Sequence, residues 1–298
     1  MTNPETPEGP VAGGSSDASA FGADRLLECA LPGRDMRLLV ADVSASAFEA
    51  EYRHLSGRLA SETLARAAAA AVLLGADLKG EERLAVQIRT DGPLQGLLAE
   101  VDAELHFRGY TNKKVLAGLD LGVVAQPTAL AGDGRVQLVR STGAQVVYKG
   151  ITNLRTGDIA SDLEAALEES SQIPSRLFLD HGYDRQLTFS AGALLQALPG
   201  CSRAEFDALG AAVAARAAGA RPFGRDPEAL ARALLGPDVP FRPLASRSVK
   251  FACRCSRQKV VDMLKQLGPP EDGEYPEESR VTCAFCNDLF TVPRAELS

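Results

Sequence analysis

Four of the six cysteines in this 298-residue chain fall within its last 46 residues, in the order C-x-C, 27 intervening residues, C-x-x-C. These are Cys253, Cys255, Cys283 and Cys286; Cys29 and Cys201 lie far upstream. Two short cysteine pairs brought together by folding supply the four tetrahedral sulfur ligands that zinc prefers. In a reducing compartment such clustering points to metal binding or redox chemistry and not to a disulfide framework. Ser256 can cap a helix over Arg257 to Leu267, which sets the positive end of a helix beside Cys253 and Cys255. Arg254, Arg257 and Lys259 add positive charge. All of this favours the thiolate, which is both the metal ligand and the reactive nucleophile. By spacing alone the cluster fits a permanently closed four-cysteine zinc staple as well as a redox site.

The surrounding segment is too small to stand on apolar burial alone. About 50 residues containing Val249, Phe251, Val260, Val261, Leu264, Leu267, Val281, Phe285, Leu289 and Phe290 supply roughly 3 to 5 kcal/mol. A structural zinc contributes on the order of 10 to 16 kcal/mol of binding free energy. Oxidation of the thiolates removes the ligands, so loss of metal and loss of local structure form one coupled event.

The length suits about two domains. Lys plus Arg is 32 against 39 Asp plus Glu, a net charge of −7, and the pI is near 5.2. That balance argues against a duplex-DNA binder, which neutralises phosphates with a basic surface. Apolar content of 45% and charged content of 24% exclude wholesale disorder. No apolar run approaches the ~20 residues that span a bilayer, and Met1 to Ala20 lacks the basic and apolar blocks of a signal peptide. The expectation is a cytoplasmic protein with no membrane partner.

Composition divides the chain into four parts. Residues 1–20, rich in Pro, Gly, Ser and Glu, form a disordered tail. Residues 21–197 carry many short strands and a few helices, the pattern of an α+β domain of mixed sheet and helix. Leu84, Val86 and Ile88 alternate with polar residues before the Asp91-Gly92-Pro93 turn, and 97–101 and 106–110 continue as antiparallel neighbours. Ser61 is the expected cap of a helix through the Ala67 to Ala71 run, stopped at Gly75. A second helix covers Asp158 to Ser170. Arg176 to Leu179 and Gln186 to Phe189 pair around a turn at His181-Gly182. Residues 198–245 hold two helical patterns, Arg203 to Ala217 and Asp226 to Leu235, separated by Gly219 to Gly224. Leu209 and Val213 on one, and Leu230, Leu234 and Leu235 on the other, give thin apolar faces. This segment is therefore expected to be a metastable helical linker; an ordinary packing layer is the plainer alternative. Residues 246–298 form the small four-cysteine zinc domain: a strand over Val249 to Ala252, the capped helix, an acidic loop (Glu271 to Glu278) and a hairpin around Cys283 to Cys286.

Other motifs carry little. His54, His106 and His181 are expected in turns or at the surface, and no G-x-S-x-G accompanies Asp180-His181. Gly132-Asp133-Gly134 lacks the Lys-Ser/Thr partner of a phosphate loop and is expected to be a hairpin turn. Cys29 and Cys201 have no close partner in sequence and are expected to be small buried or bystander thiols, not ligands. Cys283 does not precede a helix in a βαβ unit, which disfavours a thiol-disulfide oxidoreductase. A zinc-ribbon nucleic-acid-binding or ribosome-associated protein is the main alternative function; the acidity, and the lack of interleaved basic and aromatic residues on the zinc domain, count against it.

The stretch Phe251-Ala252-Cys253-Arg254-Cys255-Ser256-Arg257 with Lys259-Val260, and Val281-Thr282-Cys283-Ala284-Phe285-Cys286, resembles the zinc-binding end of the 33 kDa chaperonin family, the redox-regulated heat-shock holdases. The resemblance extends through Asp91 to Gly96, Arg108-Gly109-Tyr110, Tyr148 to Ile151, Ile159 to Glu164, Gln172 to Ser175 and Ala191-Gly192 to Leu198-Pro199-Gly200, covering about Asp24 to Phe290. It implies a substrate-binding α+β domain, a metastable linker and a zinc switch. The activity it implies is that of an ATP-independent holdase, not an enzyme, which binds unfolding client proteins and pairs as a homodimer when oxidised. Cys253, Cys255, Cys283 and Cys286 carry over as zinc ligands, with Cys253–Cys255 and Cys283–Cys286 as the activating disulfides. The chain departs from the family in its extra tail, in Ala165, Ala166 and Ser171, and in a slightly short loop between the cysteine pairs.

Overall fold

The computed structural model describes residues 22–120, 127–219, 225–270 and 273–297. The tail over 1–20, most of the break between the two linker helices and the first two residues of the acidic loop lie outside these. Strands β1 (Asp24–Leu31) and β2 (Met36–Asp42) lead into helices α1 (Ser44–His54) and α2 (Arg58–Leu74). A meander follows, β3 (Glu82–Thr90), β4 (Gly96–Asp102) and β5 (His106–Thr111), then the short α3 (Pro127–Leu130), β6 (Gly134–Thr142), β7 (Gln145–Asn153) and α4 (Ile159–Ser171). After β8 (Ser175–Asp184) and β9 (Gln186–Ala197) come α5 (Arg203–Gly219), α6 (Pro227–Leu235), β10 (Arg242–Phe251), α7 (Arg257–Leu267), β11 (Glu278–Thr282) and β12 (Leu289–Pro293).

The first ten strands form one mixed sheet in the order β7-β6-β3-β4-β5-β10-β1-β2-β9-β8, and β11-β12 is a separate hairpin. The architecture is α+β. Pairing of Leu84 with Val101, Val86 with Ala99 and Ile88 with Leu97 places the expected antiparallel neighbours in register. The seam is β10, which runs antiparallel along β1 from Asp24↔Val249 to Ala30↔Arg242 but touches β5 in parallel through only Lys250↔His106 and Phe251↔Phe107. This strand is longer than the Val249 to Ala252 piece expected from sequence and belongs to the large sheet, crossing the composition boundary at 245/246.

Helix α2 lies against one face of the sheet with Ala67 to Ala71 fully buried. Small side chains let the helix axis approach closely, and the packing of close-set layers supplies the dispersion contacts. Ser61 does not cap this helix; it is buried inside the first turns, and the N-cap is Gly57. The cap comes from elsewhere, since the Asp120 carboxylate accepts from Leu59 N at 2.9 Å and from Leu116 N at 2.6 Å. A Cβ at Gly57 would meet Asp120 Oδ2 at 2.2 Å, so only glycine leaves room for that carboxylate. Gly75 ends the helix as expected. The cap of α4 is Asp158, whose carboxylate accepts from Ser161 N.

Two turns differ from expectation. The β8–β9 connection tightens at Arg185, with φ of 62°, while His181 and Gly182 lie within the ladder opposite Ser190 and Phe189. Gly132 to Gly134 is not a hairpin but the passage from α3 into β6, with Asp133 N donating to Asp91 Oδ1 at 2.8 Å.

Because side chains alternate across a strand, β1 and β2 feed two cores: Leu26, Leu39 and Ala41 face α2, whereas Leu27, Cys29, Leu31, Leu38 and Val40 face the opposite side. That second face is covered by α5 and α6 through Phe206, Leu209, Val213, Leu230, Leu234 and Leu235. Both helices stand where the sequence indicates, but their burial is deeper than expected. Phe206 is fully buried one turn ahead of Leu209 and completes an i, i+3, i+7 stripe. The rest of α5 is mostly exposed. Among the described residues no helix is long and apolar enough to cross a membrane.

Replacing Phe206 by alanine removes the largest anchor of this layer and should cost about 3 kcal/mol, the usual scale for a buried aromatic. Hydrogen exchange should accelerate across 203–219 and leave the β3–β4–β5 amides protected; unchanged exchange in α5 would show that Phe206 does not hold it.

Candidate metal and thiol centre

The two cysteine pairs reach one another from separate pieces of chain. Cys253 and Cys255 follow the end of β10, where Ala252 N donates to Phe107 O at 2.8 Å and keeps the backbone on β5. Ser256 then caps α7, accepting from Lys259 N at 3.3 Å. Cys283 and Cys286 sit in the tight connection between β11 and β12, paired from Glu278↔Pro293 to Thr282↔Leu289. That connection is closed by Cys283 N to Asp288 O and Asn287 N to Cys283 O, both 2.9 Å, with Asn287 at a φ of 62°. Asparagine tolerates this left-handed position better than most residues.

All four Sγ atoms lie within 4.8 Å of one another. The contacts between segments are Cys253–Cys283 at 3.6 Å and Cys255–Cys286 at 3.3 Å. Four sulfurs about 2.3 Å from one tetrahedral zinc are separated by roughly 3.8 Å, so the donor set fits one such ion with small adjustments. Cys286 is 1% exposed, while the other three are half-buried.

Without a cation the cluster does not favour four thiolates. Burial raises the Cys253 thiol, but hydrogen bonds from the Cys255 backbone and from neighbouring thiols outweigh it and hold the group below its ordinary range. Burial pushes Cys255 up to about 11 and drives Cys286 further up. One site ionises easily and its neighbours then resist, as expected of like charges a few ångströms apart. A bound cation reverses that resistance.

The basic residues expected to assist do not face the sulfurs. Arg254 pairs with Glu100 and Asp102 on β4, Arg257 with Glu296 at 2.7 Å, and Lys259 Nζ donates to Arg254 O at 2.7 Å. Each is drawn to a nearer acceptor. Of the expected favourable groups, the capped start of α7 remains.

The apolar core of the cysteine-bearing segment is smaller than the sequence suggests. Val260, Val261, Val292 and Leu297 are buried, with Leu264, Tyr275, Val281 and Phe290 packed around them. Leu267 and Leu289 are 74% and 55% exposed. Val249 packs in the core of the large sheet, with Phe251 against it. Phe285 points to β5, its ring 5.1 Å from Tyr110 and under the Arg108 guanidinium at 3.9 Å. The segment thus depends on its ligands more than its composition suggests.

His54 is not at a turn or the surface; it is buried at the end of α1, with Nε2 3.0 Å from Gly109 O and 3.1 Å from Phe285 O. Nothing in the local sequence marks it, since both partners are distant backbone carbonyls. His106 pairs with Asp102 at 3.3 Å and His181 lies 3.7 Å from Glu62. Cys29 is fully buried in the sheet, its thiol pushed up to about 11 by burial and then by Glu228 and Glu28. Cys201 is half-exposed. Neither belongs to the cluster.

Fold and site together define a mixed α+β protein carrying a four-thiol centre just past the end of a central strand of its large sheet. A family profile described as Hsp33 protein matches residues 24–292. Proteins named 33 kDa chaperonin are similar to the chain along most of its length. The one from Geobacillus kaustophilus is 30% identical over 283 residues, and the one from Symbiobacterium thermophilum is 32% identical over 292; each alignment covers 92% of this chain and 96% of the relative. The crystal structure of the 33 kDa chaperonin (heat shock protein 33 homolog) from Thermotoga maritima superposes with a TM-score of 0.77 at 22% identity, covering 92% of this chain and 96% of that one. The fold is the same. The chain belongs to the Hsp33 family, and this membership supports a chaperone function.

A variant with all four clustered cysteines changed to serine should hold no zinc by elemental analysis, whereas Cys201→Ser should hold one zinc per chain. Metal retained by the fourfold variant would place the site elsewhere.

Proposed function

We propose that this protein is an ATP-independent holdase switched by oxidation: metal-bound and inactive when its thiols are reduced, disulfide-bonded and able to bind unfolding proteins when they are oxidised. It acts in the cytoplasm, has no catalytic cycle, uses neither nucleic acid nor membrane as a partner, and pairs with a second copy once oxidised. The observation that carries the reading is the convergence of Cys253, Cys255, Cys283 and Cys286 within 4.8 Å in a segment with few buried apolar residues.

Zinc, when bound, would keep the four sulfurs deprotonated and cross-link the two pieces of chain. Cys253, Cys255, Cys283 and Cys286 are its ligands in this reading. With peroxide as oxidant, each pair of thiolates gives up two electrons and forms one S–S bond. The peroxide O–O bond takes those electrons and, with two protons, leaves as two waters. The disulfides are Cys253–Cys255 and Cys283–Cys286. Their formation removes the ligand set, and α7 with the β11–β12 hairpin then rests on a handful of apolar contacts.

Strand β10 passes the change on. It joins α6 to the cysteines, so fraying from Cys253 backward loosens the strand that follows the linker helices. Helix α5 holds on by a narrow stripe, and a cleft of about 300 Å³ remains between the α5–α6 layer and β8–β9 beside Leu177, Phe178, Phe189, Ala217, Leu230 and Leu234. Release of α5 and α6 would bare Leu27, Leu31, Met36, Leu38, Val40 and Leu195, a contiguous apolar face suited to unfolded chains.

Peroxide-treated protein should suppress light scattering by a thermally aggregating client without ATP, and reduced protein should not; equal activity in both forms would remove the switch. The hydrogen-bonded turn brings Cys283 and Cys286 together with little strain, whereas the C-x-C pair must bend its backbone to reach disulfide geometry. Mass spectrometry of alkylated peptides over an oxidation course should therefore find Cys283–Cys286 first; earlier accumulation of Cys253–Cys255 would reverse the argument.

A further inference from the structure

Both halves of the thiol cluster are fastened to the same strand. The C-x-C half is tied by Ala252 N to Phe107 O on β5. The C-x-x-C half is tied through Phe285, which stands between the two cysteines of its turn. Its ring meets Tyr110 edge-on at an interplanar angle of 82° beneath the Arg108 guanidinium, and its carbonyl oxygen meets His54 Nε2 at 3.1 Å. The same nitrogen faces Gly109 O at 3.0 Å. Two carbonyls accept and cannot donate, so Nε2 carries the hydrogen and bridges them. Nδ1 is buried without a partner, which suits a neutral ring, and burial lowers the affinity of His54 for a second proton. Asn287 Oδ1 accepts from Lys114 Nζ at 2.5 Å, and Asp288 pairs with Arg53 at 3.1 Å, closing the turn onto α1 and the segment after β5. Cys286, next to Phe285, is the deepest of the four sulfurs.

We infer that the Cys283–Asp288 turn is latched to the large sheet, and that His54 and Phe285 are positioning residues of the thiol switch, holding Cys283 and Cys286 opposite Cys253 and Cys255 without touching metal or oxidant. The inference rests on the switch reading for its consequence: β5 and α1 set how readily the cluster opens, so the large domain restrains its own trigger directly as well as through the linker.

The test uses the full-length protein loaded with zinc and two readouts: transfer of zinc to a chromophoric chelator, and hydrogen exchange at the Cys283 and Asn287 amides that close the turn. Phe285→Ala and His54→Ala should each speed both by roughly tenfold. The double variant should fall well short of the product, because the docked Phe285 ring places the carbonyl that His54 holds, so losing either anchor already weakens the other. His54→Gln, which keeps a donor, should restore most of the effect, and Phe285→Leu, which keeps bulk without the ring, should fall between and serve if the alanine variant does not fold. Leu289→Ala, on an exposed position of the same hairpin, should change neither rate. Rates within twofold of wild type in His54→Ala, or effects that multiply in the double variant, would overturn the latch. A wild-type protein that holds no zinc, or keeps it through peroxide, would remove the switch reading, while exchange at Cys283 and Asn287 would still decide the latch.

Discussion

Everything distal to β10 is arranged around four sulfurs that meet within 4.8 Å of one another. The segment bearing them has four buried apolar side chains, Val260, Val261, Val292 and Leu297, far too few to offset the ordering of about 50 residues at roughly 1 to 2 kcal/mol of backbone entropy each. A metal bound across the Cys253–Cys283 and Cys255–Cys286 contacts would change that balance, because it would join two pieces of chain separated by an entire helix and loop. The same geometry makes the ligands the weak point. Any chemistry that pairs sulfurs within a segment, and not across segments, deletes the cross-link while leaving each segment covalently intact.

In the proposed switch, the position of β10 would carry this local dependence into the large sheet. It pairs along β1 from Asp24↔Val249 to Ala30↔Arg242 with one register shift between Glu28 and Cys29, yet only two of its residues pair with β5, so the sheet is strong on one side of the seam and weak on the other. The cysteines begin where the weak side ends. In the proposed switch, movement there would pass along a strand that α6 leads into and that lies in the middle of the sheet, a route of continuous backbone and not a chain of side-chain contacts.

How much of this was legible in the sequence depended on the range of the interaction. Helix α7, its Ser256 cap and the β11–β12 hairpin are governed by local spacing, and the expected ranges match. The meander of β3, β4 and β5 follows from alternation around a Gly-Pro turn. The misplaced start of α2 has a different cause, for its cap is Asp120, more than fifty residues away, and local rules favoured Ser61 instead. His54 and Arg254 were misjudged for the same reason: the partners that fix them, Phe285 O and Glu100, are far along the chain. The cysteine cluster itself was legible because four ligands to one ion leave a composition signal that no packing argument is needed to detect. The counterion environment was not, since Arg254, Arg257 and Lys259, near in sequence to Cys253, are each drawn to another acceptor.

The linker helices show why a well-packed layer can also be a releasable one. Between Cys201 and Ala245 there are thirteen alanines, which favour helix strongly on their own but bury little area each. Six larger apolar side chains, Phe206 and Val213 among them, carry the contact with the sheet, whereas the sheet face beneath is dense in Leu, Met and Val. Apolar burial scales at about 25 cal/mol per Å², so an alanine-rich cover returns less than the surface it hides could gain from a larger apolar partner. In the proposed switch such a cover would be lifted at modest cost, and the sheet face it leaves is the more hydrophobic of the two. In the proposed function this asymmetry would place the capacity for binding on the sheet and the capacity for release on the light helical cover.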